Sequence, residues 1–433
     1  MKYPSFKKSV ELLAQVRGII PGAAQTFSKG PTQFSAGSAP NFIVSGKGCR
    51  LTDLDGNELI DYSSSLGAVT LGYAYPAVDR AVAAQMKRGM SLTLPSPLEY
   101  ELGMVLKDIY PCAEMVRYGK NGSDATSGAV RAARAITGRE VVACCGYHGW
   151  QDWYIATTTR DRGIPGGVKA LTKTFDYNDP ASLERVFEEN NGNVACVIME
   201  ATGVVRPEKN FLKEVKRITH KHGALLIFDE VVTGFRLALG GAQEFFGVVP
   251  DMACIGKGMG NGMPISAVVG KKRFMKVFDE IFFSFTFGGE ALSLAASLAT
   301  ISEMKRHDVP GHMARMGQTL MDGYNALAKK HGLEDVTKCV GYPCRNIVSL
   351  KDETGQESLL VKTFFQQEAV ARGVLFCGYH NYTLSHKVRD ILATLSAYDG
   401  ALAELKDALG KGGSREIKKR LNGELLQPVF RKL

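Results

Sequence analysis

The sequence predicts an α/β protein built on a mostly parallel sheet with helices on both faces. Two patterns carry this. Short unbroken apolar runs recur between about residues 95 and 300: MVRYG, EVVACC, VACVIM, ALLIFD, MACIG and ISAVVG. Stretches of helical periodicity separate them, among them SDATSGAVRAARAITG, DPASLERVFEENNG and FLKEVKRITHKHG. Strands buried on both faces read as continuous apolar runs, and alternating strands and helices are the pattern of parallel βαβ units.

The elements follow in order. The opening, residues 1–60, reads as a helix and then short strands. Asp55-Gly56-Asn57 divides CRLTDL from ELIDY, which predicts a hairpin. Residues 61–300 hold the strand–helix alternation and form the expected large domain. Residues 301–433 carry long amphipathic patterns (LATISEMKRH, GHMARMGQTLMDGYNALAKKHG, KVRDILATLSAYDGALAELKDALG) with a few strands such as CRNIVSL and GVLFC. They predict a smaller α+β domain.

Composition narrows the class. With 433 residues, 45% hydrophobic and 22% charged, the chain fits an ordinary globular protein with two or three lobes. The first twenty residues mix charge and apolar residues at helical spacing and lack a secretory signal pattern. No run approaches the roughly 20 apolar residues of a membrane span. The nine cysteines are odd in number, form no C-x-x-C pair, and several lie inside apolar strands, so reduced buried thiols and a cytoplasmic location are expected. Neither cysteines nor histidines show metal-ligand spacing. The net charge is +9, part of it in a basic tail of Lys411, Arg415, Lys418, Lys419, Arg420, Arg431 and Lys432. No nucleic-acid module accompanies it, so the tail reads as a solvated helix face.

In open α/β sheets ligands gather at the carboxyl ends of strands, and the unusual residues fall there. Asp229 closes ALLIFDE. A carboxylate at a buried strand end needs a cationic partner; a protonated pyridine nitrogen would serve, and so would an ordinary ion pair or a helix cap. Lys257, in CIGKGMGNGMP, follows a strand among glycines that allow close approach to a ligand. A desolvated lysine is a nucleophile and proton shuttle, although surface loops also hold lysines. Gly122 and Ser123, in GKNGSD, open a helix and could seat a phosphate or merely cap it. Tyr147 and His148, in GYHGW, end another strand, where an aromatic can stack on a flat heterocycle or pack the rim.

Together these motifs resemble the class III aminotransferases of fold type I, in the subgroup around glutamate-1-semialdehyde 2,1-aminomutase. The resemblance runs from PGAAQTFSKG through LTDLDGNELIDY, LGAVTLGYAYP, NGSDATSGAVRAARAITGRE, GYHGWQDW, FDEVVTGFR, GGAQEFFGVVPDMACIGKGMGNGMP and SFTFGGE. It implies pyridoxal 5'-phosphate (PLP) as cofactor, bound to Lys257 as a Schiff base. Asp229 would pair with the pyridine nitrogen, Tyr147 would stack on the ring with His148 beside it, and Val231 would pack on the opposite face. Gly122 and Ser123 would bind the phosphate. Thr286 would reach the phosphate of a neighbouring subunit, which implies a homodimer with shared active sites. Glu200, ending VACVIME, is a further pocket candidate.

The chain departs from the mutase in places. Its N-terminal loop, PGAAQTFSKGPTQF, lacks the mutase's carboxylate-gripping arginine and offers Lys29 instead. Thr286 is followed by Phe-Gly-Gly-Glu rather than a serine-glycine-asparagine-proline run. These differences favour an intermolecular aminotransferase working by ping-pong chemistry. The variant motifs FSFTFGGE and GYHN, with GKNGSDAT, resemble mutase-like aminotransferases associated with carbohydrate or secondary-metabolite pathways, which implies a sugar-derived or phosphorylated carbonyl acceptor. Lys29, Arg236 and His380 are the candidate substrate contacts. The alternatives are the mutase itself, a racemase or epimerase of the same fold, and a non-catalytic binding protein.

Overall fold

The computed structural model describes residues 3–208 and 210–428. It divides into two compact units. One is Pro76–Pro310; the other joins the N-terminal stretch through Tyr75 to residues 311–428. The boundary expected at residue 300 falls inside the helix Ala291–His307, all of which belongs to the first unit. The boundary expected at residue 60 falls inside the strand Glu58–Asp61, and the unit runs on to Tyr75.

The Pro76–Pro310 unit holds a seven-stranded sheet. In chain order the strands are β1 (Met115–Gly119), β2 (Val141–Cys145), β3 (Thr172–Thr174), β4 (Val194–Met199), β5 (Leu225–Asp229), β6 (Met252–Ile255) and β7 (Ser266–Gly270). Their order across the sheet is β1-β7-β6-β5-β4-β2-β3. The pairs from β6 to β3 are parallel, with registers such as Asp229 opposite Cys254 and Met199 opposite Phe228. Only β7 is reversed, antiparallel to both β1 and β6. All six other strands therefore point their carboxyl ends at one edge. β4, β5, β6 and β7 are buried at every residue, as unbroken apolar runs require.

The helix Gly122–Thr137 is rich in alanine and lays Ala125, Ala129, Ala132 and Ala133 against the core, a spacing that repeats on one helical face. Gly138, with φ 66°, ends it in the left-handed conformation. On the other core, Phe211, Leu212, Val215 and Ile218 of the helix Phe211–Lys221 join Val197, Leu226 and Phe228. Each such fully buried aliphatic or aromatic side chain stabilises the fold by about 1.5–3 kcal/mol.

The other unit contains two small sheets. Strands Arg50–Asp53 and Glu58–Asp61 form the expected hairpin, with Leu51 opposite Leu59, and Val374–Leu375 adds a parallel strand beside it. A second sheet joins Thr337–Tyr342, Arg345–Leu350 and Tyr379–Asn381. The last helix runs Val388–Arg420, past the expected end, and is broken at Gly412–Gly413. Its basic residues pair along their own helix: Lys411 and Arg420 with Asp407 at 3.0 and 2.8 Å, and Arg420 with Glu416 at 2.9 Å. Arg431 and Lys432 lie outside the described residues.

Candidate active site

The common strand direction turns separate motifs into one rim. Gly122–Ser123 follow β1, Tyr147–His148 follow β2, Glu200 follows β4, Asp229 ends β5, and Lys257 follows β6. The residues predicted at strand ends thus share one sheet edge.

Asp229 is 5% exposed. Its Oδ1 accepts the Val231 N–H at 3.1 Å, and its Oδ2 lies 2.9 Å from His148 Nδ1. The second nitrogen of His148 lies 3.2 Å from the Cys145 carbonyl oxygen. His148 stacks on Trp153 at 6.0 Å between centroids, and Thr126 Oγ1 donates to the His148 carbonyl at 2.7 Å. The carboxylate is therefore held in one orientation by a buried imidazole and a backbone donor.

Tyr147 is half-buried; its ring meets Tyr154 edge-on at 5.4 Å, and its N–H donates to Glu200 Oε2 at 2.9 Å. Glu200 thus steadies the backbone that carries Tyr147. Burial pushes the neighbouring Cys145 thiol up to about 12, so it stays protonated.

The loop before Gly122–Thr137 is tied by Asp124, whose carboxylate accepts the N–H groups of Lys120 and Asn121 at 3.1 and 2.7 Å. Gly122 and Ser123 head the helix, where N–H groups lack intrahelical acceptors. Ser123 Oγ is buried without a hydrogen-bond partner. A Cβ on Gly122 would stand 2.7 Å from a Val231 methyl, and one on Gly149 (φ 108°) only 2.4 Å from Ser123 Cβ. Glycine at these two positions brings the helix start, the β2 loop and Val231 together.

Lys257 is half-buried and opens a short turn with φ 38°, a left-handed conformation costly for a side-chain-bearing residue and characteristic of functional sites. Thr286 is exposed in a turn closed by the Gly288 N–H to the Phe285 carbonyl, among exposed Phe282, Phe285 and Phe287.

The three expected substrate contacts fare differently. Lys29 belongs to the second unit, is exposed, and donates from Nζ to Ser65 Oγ at 2.9 Å. Desolvation lowers its pKa, against the opposing pull of Asp61. Ser65 lies in the turn Ser64–Gly67, where all four residues have φ between 48° and 82°. The buried Asp61 carboxylate anchors that turn, accepting the N–H groups of Ser63 and Ser64 and the Tyr73 hydroxyl. His380 is corrected: it is fully buried, donates from Nδ1 to Asn346 Oδ1 at 2.6 Å and accepts the Tyr398 hydroxyl on Nε2 at 2.8 Å, so no ring nitrogen is offered to a substrate. Arg236 lies in the sheet unit and is 2% exposed.

Glu230 was not predicted. It is fully buried, and burial raises its pKa against four donors: Thr233 Oγ1 (2.6 Å), the Ala242 and Gln243 N–H groups (2.6 and 2.9 Å) and the Gln243 amide (3.3 Å). It ties the loop after β5 to the helix Gly241–Phe246. The only sequence signal is the second acid of FDE.

The donor set fits PLP: a buried orphan hydroxyl at a helix start for the phosphate, a held carboxylate for a ring nitrogen, a tyrosine for the ring face, and a strained lysine for the aldehyde. Such a set on a mostly parallel sheet defines a fold type I PLP-dependent transferase. The class-III aminotransferase family model matches residues 34–409, and the chain belongs to that family. The 3-aminobutyryl-CoA aminotransferase of Cloacimonas acidaminovorans (strain Evry) is 33% identical over 93% of this chain and 98% of its own. A glutamate-1-semialdehyde 2,1-aminomutase of Acetivibrio thermocellus is 38% identical over 75% of this chain and 80% of its own. Among solved structures, the FumI protein of Sphingopyxis sp. MTA144, in its PLP internal aldimine form, superposes with a TM-score of 0.88 at 27% identity, covering 93% of this chain and 98% of that one. The protein is a PLP-dependent aminotransferase.

Proposed function

We propose that this chain moves an amino group from an amino donor to a separate carbonyl acceptor, with Lys257 and Asp229 as the catalytic pair. When bound, PLP supplies the electron sink for the reaction. Lys257 would hold its aldehyde carbon through Nζ, and the same amine would carry the proton from the donor's amine-bearing carbon. Asp229 keeps the ring nitrogen protonated, and His148 and the Val231 N–H hold that carboxylate in place. Tyr147 and Val231 flank the ring, with Glu200 fixing the Tyr147 backbone. Gly122 and Ser123 seat the phosphate.

The observation that carries this reading is Ser123 Oγ, buried and unpartnered at a helix start on the same rim as Asp229 and Lys257. A buried hydroxyl without a partner costs free energy unless a ligand satisfies it.

The homodimer is part of the proposal. Thr286 sits on an exposed loop with Phe282 (78% exposed) and Phe287, and the same unit exposes Leu94 (77%) and Tyr100 (72%). So much exposed aromatic and aliphatic surface favours a covering partner, and a second copy would take Thr286 toward its own cofactor phosphate. A reducing, cytoplasmic setting is likewise favoured by nine free cysteines, eight of them buried. Among the described residues no helix is long and apolar enough to cross a membrane.

For the acceptor we propose a sugar-derived or phosphorylated carbonyl compound. The cluster Lys271, Lys272, Arg273 and Lys276 follows the carboxyl end of β7, at the edge opposite the rim. The test is direct. Adding L-glutamate should shift the bound cofactor's absorbance to the pyridoxamine form, and only true acceptors should restore it. Racemisation of the donor without release of a keto product would overturn the proposal. The relatives named as mutases support a second reading, intramolecular transfer within glutamate-1-semialdehyde. It requires turnover of that compound with no external donor.

A further inference from the structure

Lys120 lies two residues before the helix start proposed to seat the phosphate, yet its side chain points elsewhere. Its Nζ donates to Glu290 Oε2 at 3.0 Å and to Ser293 Oγ at 3.2 Å. Ser293 Oγ donates to the same carboxylate at 2.7 Å, and the N–H groups of Leu292 and Ser293 complete its shell. The Lys120 and Glu290 side chains are 15% and 14% exposed, so water and salt screen the pair only weakly. Glu290 ends the loop that carries Thr286. The same loop also leans on β1, the strand that leads into the phosphate segment: Phe285 lies 3.6 Å from where a Cβ on Gly119 would sit, and Arg117 donates to the Phe283 carbonyl at 2.8 Å.

We infer that Lys120 and Glu290 are a positioning pair that locks the Gly122–Ser123 segment to the Thr286 loop, and so sets how tightly the cofactor's phosphate is held. Neither residue touches the phosphate. Glu290 is already committed to capping the helix Ala291–His307, and Lys120 fixes where that capped end lies relative to Ser123. Removing the cation leaves a largely buried carboxylate uncompensated, and the loop shifts to find water. The inference rests on the proposed phosphate seat.

Its test compares PLP with pyridoxal, which lacks the phosphate, in titrations of the full-length apo protein followed by absorbance. Lys120→Met is expected to raise the dissociation constant for PLP about tenfold while leaving that for pyridoxal within about twofold. Lys120→Arg should recover most of the loss. Glu290→Gln, which keeps an acceptor for the helix cap, should reproduce it. The double variant Lys120→Met/Glu290→Gln should be no worse than either single one, since the pair is lost only once. Unchanged PLP affinity in both single variants would overturn the inference. So would an equal loss for PLP and pyridoxal, which marks general loosening. Ser123→Ala separates the two layers: if it weakens PLP selectively while Lys120→Met does not, only the positioning role falls. If Ser123→Ala leaves PLP affinity intact, the phosphate seat itself falls.

Discussion

Two histidines in the N- and C-terminal unit should make it sensitive to mild acid. His380 and His386 are both fully buried, and each is fixed as a neutral tautomer. His380 donates from Nδ1 to Asn346 and accepts from Tyr398 on Nε2. His386 has the opposite arrangement: Nδ1 accepts the Thr383 N–H at 3.0 Å, and Nε2 donates to the Asp61 carbonyl at 3.0 Å. A proton on His386 Nδ1 would face another N–H. Burial pushes the two pKa values down to about 3 and about 4, with the mutual charge of the pair adding to the fall for His380. An unfolded histidine titrates near 6.5, so between that value and the folded ones the unfolded chain binds more protons, and stability drops as pH drops. Each histidine costs about 1.4 kcal/mol per pH unit in this window, so going from about pH 7.5 to about pH 5.5 removes roughly 3 kcal/mol for the pair. Urea denaturation of the full-length protein across that range reads the loss. His386→Gln lowers stability at neutral pH by breaking hydrogen bonds, but it should remove about half of this pH dependence. A pH dependence that is the same in wild type, His380→Gln and His386→Gln would refute the argument, whatever the absolute stabilities.

Four further outcomes are expected. Lys257→Ala should bind PLP without becoming covalently labelled on borohydride reduction, and should lose turnover; retained turnover would remove its assigned role. Asp229→Asn should keep the circular dichroism of the wild type and lower kcat about 10²- to 10⁴-fold, since breaking a buried charge pair costs about 2–5 kcal/mol. Gly149→Ala places a Cβ 2.4 Å from Ser123 Cβ at a φ of 108°, so PLP affinity should fall at least about tenfold; unchanged affinity in the titration would contradict the packing. Glu230→Gln turns an amide N–H₂ toward donors and should lower the urea-derived stability by roughly 2–3 kcal/mol with little change in the ratio of PLP to pyridoxal affinity.

What the sequence reveals depends on how local the physics is. Asp229 and Lys257 are legible because each interrupts or follows an apolar strand, where a charge is too costly to be incidental. The reversed β7 is not legible: ISAVVG is as apolar read backwards as forwards, and only its partners β1 and β6 fix its direction. FDE presents two acids, and composition cannot assign them. Side chains alternate along an extended chain, so one carboxylate turns to the rim and His148 while the next, Glu230, turns to the start of Gly241–Phe246. GYHN offers His380 as a candidate substrate contact, yet Tyr379–Asn381 pairs with Arg345–Ile347 and carries His380 into the core. The Asn346 and Tyr398 side chains that satisfy it are distant in sequence. Lys120 and Glu290 are the extreme case, since 170 residues separate them. Lys120 belongs to a recognisable phosphate-loop motif, but its partner is chosen by the path of the Thr286 loop. A residue's chemistry can be read where it stands, whereas the second charge that holds it in place is set by the fold.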